Sequence, residues 1–116
     1  MRRTPALRRL VAETGVRRAQ LVLPMFVREG LDEPHPIISM PGVCQHTRDS
    51  LKKAVTEAVA AGIGGVMLFG IPSEKDAAGS GAVDSHGILN LAITDVVAEV
   101  GEQLTVMSDL CLDEFT

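Results

Sequence analysis

Tryptophan and tyrosine are absent from this 116-residue chain, and phenylalanine occurs three times. A core left to Val, Leu, Ile, Ala and Gly fits a parallel α/β architecture better than an aromatic-rich sandwich. No apolar run approaches the ~18 residues of a membrane-spanning helix, so no transmembrane segment and no membrane partner are expected. Two cysteines, Cys44 and Cys111, are too few and too far apart for a disulfide framework. A reduced, cytoplasmic setting is the default that follows. Lysine is scarce too, represented by Lys52, Lys53 and Lys75.

What is present is ordinary for a globular protein, with 46% hydrophobic and 22% charged residues in a length that suits one domain. The charge is unevenly placed. Arg2, Arg3, Arg8, Arg9, Arg17 and Arg18 crowd the first 18 residues, where Glu13 is the one acid. The remaining 98 residues hold 5 bases against 14 acids, a net of −9. A basic start can mark a transit peptide or a nucleic-acid arm. No apolar stretch of signal-peptide type follows it, and no aromatics interleave it, so neither secretion nor nucleic-acid binding is supported. Residues 1–18 are read as a helical arm that packs on an acidic surface of the same or a neighbouring chain.

The elements follow from punctuation and periodicity. Thr4-Pro5 opens a helix, with Thr as N-cap and Pro in the first position, and Gly15 closes the segment. Leu21 to Val27 has strand length, but Pro24 lacks a ladder donor and argues for an edge or a break. Glu29 to Thr47, with Pro34, Pro36, Pro41 and Gly42, reads as irregular. Between Asp49 and Ala61, Leu51, Ala54, Val55, Ala58 and Val59 recur at helical spacing, leaving Lys52, Lys53 and Glu57 on the wet side. Gly65 to Gly70 is a continuous apolar run, the pattern of a strand buried on both faces. A long polar loop covers Ile71 to Gly87. A second amphipathic helix covers Ile88 to Val100, with Leu89, Ala92, Ile93, Val96, Val97 and Val100 on its apolar face. Leu104 to Leu112 is the third strand. The alternation predicts right-handed βαβ crossovers into a parallel sheet over residues 19–116.

The last strand carries Asp109, Cys111, Asp113 and Glu114 near its C-terminal end, where α/β folds place reactive groups. By itself, a Cys in an apolar strand is a small core residue. A buried carboxylate such as Asp109 needs a partner, so capping or ion pairing is the plain reading. Asp113 and Glu114 suit a solvated strand end. His35, His46 and His86 fall in predicted loops without metal-ligand spacing, and Cys44 beside a turn suits packing. Gly79, Ser80 and Gly81 match no phosphate-binding pattern.

Seven segments, in order, resemble the delta-aminolevulinic acid dehydratase (porphobilinogen synthase) family. They are RRTPALRRLVAET, LVLPMFVREG, SMPGV at Ser39 to Val43, VMLFGIP at Val66 to Pro72, KDAAGSGA at Lys75 to Ala82, SHGILN at Ser85 to Asn90, and MSDLCLDEFT at Met107 to Thr116. The resemblance implies a TIM (β/α)₈ barrel preceded by an arm that embraces another subunit, in homo-oligomers that are typically octamers. It implies condensation of two 5-aminolevulinate molecules to porphobilinogen in tetrapyrrole (heme) biosynthesis. A full barrel needs about 250 residues, so the chain is expected to be the N-terminal part of such an enzyme. The alternative, of a different class, is a non-catalytic module that binds full-length subunits through its arm.

The same resemblance assigns residues. The family's two Schiff-base lysines lie on later strands, so none of Lys52, Lys53 and Lys75 inherits that role. Asp109 falls at the active site, where its charge would stabilise iminium intermediates. Cys111 occupies the first of the zinc-cysteine positions, and Asp113 stands where the second cysteine would be. A mixed thiolate–carboxylate zinc site and a shift towards magnesium both remain open. The 116-residue chain alone is therefore expected to form no porphobilinogen. Borohydride treatment with 5-aminolevulinate should trap no adduct on it, as mass spectrometry would check; an adduct on Lys75 would overturn the lysine assignment.

Overall fold

The computed structural model describes residues 3–110 and 113–116. Helix α1 (Pro5–Val11) begins as its sequence dictates, Thr4 Oγ1 accepting the Leu7 N–H at 3.1 Å with Pro5 in the first turn. No residue of α1 is buried, and Leu10 is 81% exposed.

Among the described residues five strands form one sheet: β1 (Val22–Arg28), β2 (His35–Pro36), β3 (Cys44–His46), β4 (Gly65–Ile71) and β5 (Thr105–Ser108). Their order is β2-β3-β1-β4-β5, with all neighbours parallel except the antiparallel β2–β3 pair. β1 and β4 pair over seven residues, from Val22↔Gly65 to Arg28↔Ile71. The parallel β1-β4-β5 run matches the sequence expectation. β2 and β3 correct it: the segment read as irregular folds back as a short hairpin, and β1 becomes an interior strand.

Pro24 lies in an interior strand without breaking it, and the edge that its missing donor calls for is local to its own flank. Leu21 O accepts from Gly65 N, and Glu29 N donates to Ile71 O, so the odd-numbered residues of β1 direct their polar groups to β4. Pro24 therefore directs its nitrogen to the other side. There β3 pairs with Phe26 and Val27 and stops short of Pro24, so no ladder bond is forfeited.

Helices α2 (Arg48–Ala60) and α4 (Ile88–Val100) cover one face of the sheet. Thr47 caps α2 reciprocally: Thr47 Oγ1 accepts from Ser50 N, and Ser50 Oγ accepts from Thr47 N, each at 3.0 Å. Leu51, Val55 and Ala58 of α2 pack with Ala92, Val96 and Val100 of α4 over Met25, Val27, Val66 and Leu68. Val97, read as a core position, is 49% exposed on the shoulder of α4. Gly70 lets α4 approach, since a Cβ there would stand 2.8 Å from Leu89 Cβ. On the opposite face the rings of the paired residues Phe26 and Phe69 stack with centroids 5.3 Å apart. The third strand ends at Ser108, four residues earlier than its apolar run implied. The polar loop after β4 contains one helical turn, α3 (Ser80–Val83).

One ion pair ties the two long helices. Arg48 Nε and Nη2 donate to Asp95 Oδ2 and Oδ1 at 2.7 and 3.0 Å. The hydrogen bond from Arg48 holds the Asp95 carboxyl below its ordinary value of 3.8. The contribution is thus fully present above the unfolded carboxyl's pKa and is lost as pH falls through Asp95's depressed one. Because Arg48 is half exposed, solvent limits the pair to about 0.5–1 kcal/mol. Asp95→Asn should lower stability by about that amount at neutral pH. Urea midpoints should show the gap closing well below pH 3.8.

Candidate functional site

The parallel strands β1, β4 and β5 all end on one side of the sheet, and that rim gathers the charged groups. A cleft of about 510 Å³ opens there between the end of β1 and the loop after β4, lined by Glu29, Glu74, Lys75, Asp76, Asp84 and His86 among others. The loop that walls it is internally built. Asp76 Oδ1 accepts from Ala78 N at 3.1 Å and Ser80 N at 2.9 Å. These bonds, with that of Ser80 foremost, hold the Asp76 carboxyl below its ordinary value. The loop is also tethered at both sides, by Ser73 N donating to Glu29 Oε2 at 3.1 Å and Asp76 N donating to Phe115 O at 3.2 Å.

Asp109 lies one residue beyond β5, half-buried, with its N–H directed to Leu68 O at 3.4 Å. It borders a second, more apolar cavity of about 390 Å³ with Leu89, Ile93, Leu110 and Phe115. Asp113 is exposed at the start of a single 3₁₀ turn, Asp113–Phe115, whose Phe115 is 2% exposed against the core. That turn replaces the strand end to which Asp113 and Glu114 were assigned. Cys111 lies outside the described residues. Asp113 offers a hard oxygen donor, which suits magnesium better than a thiolate would. Among the described residues, however, no group of three or more His, Cys, Asp or Glu could hold a metal. The described donors thus do not complete a metal site.

Lys52 and Lys53 lie on the outer side of α2, Lys52 Nζ standing 3.9 Å from Asp49. Lys75 is exposed in the loop at the rim. His35 and His86 are exposed, but His35 belongs to β2 and not to a loop. His46 is not a loop residue: it belongs to β3, with Nδ1 3.0 Å from Ser50 Oγ, and Cys44 Sγ lies 3.7 Å from both ring nitrogens. A sulfur equidistant from the two nitrogens lines up with neither lone pair, so the contact is packing. Glu29 is the rim residue that sequence reasoning overlooked; its signal was a charged residue and a glycine at the end of an apolar run.

Burial lowers the His46 pKa from its ordinary 6.5, with Glu57 partly opposing. As pH falls through 6.5 the unfolded ring takes its proton first, so stability declines until the folded ring also protonates. His46→Gln should flatten the decline in urea midpoint between about pH 7.5 and 5.

Three comparisons bear on this geometry. The family model of delta-aminolevulinic acid dehydratase matches residues 1–116. The chain is 62% identical over 118 aligned residues to the delta-aminolevulinic acid dehydratase of Streptomyces coelicolor, covering 100% of this chain and 36% of that protein. It is 58% identical to that of Mycobacterium tuberculosis, with the same coverage. Its fold is similar to the crystal structure of delta-aminolevulinic acid dehydratase from Toxoplasma gondii in complex with the reaction product porphobilinogen. That likeness has a TM-score of 0.90 and 31% identity, and covers 99% of this chain and 33% of the other. The chain thus spans about a third of the length of the proteins it matches.

Proposed function

The chain belongs to the delta-aminolevulinic acid dehydratase family, and from that premise we propose that it is the N-terminal part of a cytoplasmic porphobilinogen synthase. In this reading residues 1–18 are the arm, and residues 19–116 are the first βα units of a TIM barrel that further strands close. The observation that carries it is the family match along the whole chain. The sheet agrees, having the long helices α2 and α4 on one face and a cluster of charged residues, Glu29, Glu74, Lys75 and Asp76 among them, at the carboxyl ends of parallel strands.

The reaction joins two 5-aminolevulinate molecules with loss of two waters, through Schiff bases on lysines that further strands supply. Those amines must be deprotonated, which calls for a desolvated pocket. The exposed Lys75 and the outward lysines of α2 have no such surroundings. Asp109, half-buried at the end of β5, suits a different role, because a fixed carboxylate stabilises the cationic iminium as it develops. Cys111 and Asp113 are proposed as ligands of zinc or magnesium, completed by donors elsewhere. Bound there, the ion would supply Lewis acidity. The unburied face of α1, with Leu10 outermost, supports a homo-oligomer in which the arm lies on a neighbouring subunit. It equally supports the second reading, a non-catalytic module that docks on complete subunits.

The longer polypeptide carrying this segment should convert 5-aminolevulinate to porphobilinogen, followed by mass spectrometry. Asp109→Asn should lower kcat by about 10²-fold or more with the fold intact. Metal analysis should find less bound ion in Asp113→Ala. Absence of porphobilinogen from the unaltered polypeptide would remove the catalytic reading. Binding of this chain to complete subunits would then favour the second.

A further inference from the structure

We propose that Glu29 is a positioning residue, acting through the backbone of Ser73 to hold the loop after β4 across the mouth of the substrate site. The proposal rests on the porphobilinogen synthase reading. Glu29 directly follows β1 and binds both the last residue of β4 and the loop beyond it. Its N–H donates to Ile71 O at 2.9 Å, and its Oε2 accepts from Ser73 N at 3.1 Å. On the far side the loop is fastened by the Asp76 N–H on Phe115 O, while Asp76 folds residues 76–80 on themselves through Ala78 N and Ser80 N. The stretch Ser73-Glu74-Lys75 is thus suspended between the end of β1 and the turn after β5.

That suspension decides where Lys75 stands. Among the described residues it is the one lysine or arginine lining a cleft that also holds Glu29, Glu74, Asp76 and Asp84. A substrate bearing a carboxylate, arriving at this acidic rim, meets a single compensating cation whose position depends on a short exposed loop. Glu29 and Ser73 are exposed, so water can replace the lost acceptor when Glu29 is removed. The cost in folding stability is correspondingly small, and the loss falls on the placement of the loop. Because the acceptor is one carboxylate oxygen facing a backbone N–H, glutamine can make the same bond with its carbonyl, whereas alanine cannot.

The test uses the longer polypeptide that carries this segment. Glu29→Ala should raise KM for 5-aminolevulinate about three- to ten-fold, with kcat within about two-fold. It should also speed amide exchange at Ser73 while circular dichroism is unchanged. Glu29→Gln should restore both. Unchanged KM in E29A, unchanged Ser73 exchange in E29A, or E29Q as impaired as E29A would each overturn the proposal. Should the unaltered protein fail to consume 5-aminolevulinate, the catalytic reading falls by itself. Ser73 exchange in the two variants still decides whether Glu29 holds the loop.

Discussion

Seven consecutive residue pairs join β1 to β4 in parallel, and every other placement follows from that ladder. A parallel pair cannot close through a tight hairpin, so the chain must leave the sheet, cross one face and return. α2 makes that crossing, and α4 makes the next one to β5 on the same face. Alternate residues of the strands, Met25 and Val27 with Val66 and Leu68, then meet the apolar stripes of both helices. The same ladder brings the carboxyl ends of β1 and β4 side by side, so that Glu29 can reach Ser73. Core and rim are two consequences of one register.

The long helices were legible because an apolar stripe over thirteen residues repeats enough to fix a period. β1 and β4 were legible as short apolar runs bounded by glycine or charge. What escaped was too short to carry a pattern. A two-residue and a three-residue strand show no alternation, so the hairpin of β2 and β3 was hidden among prolines. Pro24 misled because the rule against proline in interior strands concerns a lost ladder bond, and the partner strand ends before it. Val97 misled because a stripe drawn on a helical wheel is wider than the surface that two flanking elements cover. β5 ended early because its pairing with β4 stops at Ser108, and the apolar Leu110 beyond it is exposed and extends no ladder.

At the rim, sequence singled out residue types, and structure sorted them by location. Asp109 stands half-buried where the strand ends, and Asp113 is exposed in a separate turn. The carboxylates of Glu29 and Asp76 proved to be backbone acceptors, each organising a loop. No spacing in the sequence announces the Glu29 bond, because Glu29 and Ser73 are 44 residues apart, whereas those of Asp76 are local, reaching two and four residues along the chain. His46 shows the converse: the ring is half-buried between a strand and a helix cap, a setting that a prolines-and-turns segment did not suggest.

Pro24 also has a meaning for assembly. A bare flank of main-chain groups beside an interior strand invites a stray segment from another molecule to zip alongside. With its ring nitrogen facing that gap, the flank offers a carbonyl without the matching hydrogen, and an incoming strand would bury an unanswered oxygen of its own. The chain thereby guards this unfinished seam with a residue that costs the native sheet nothing.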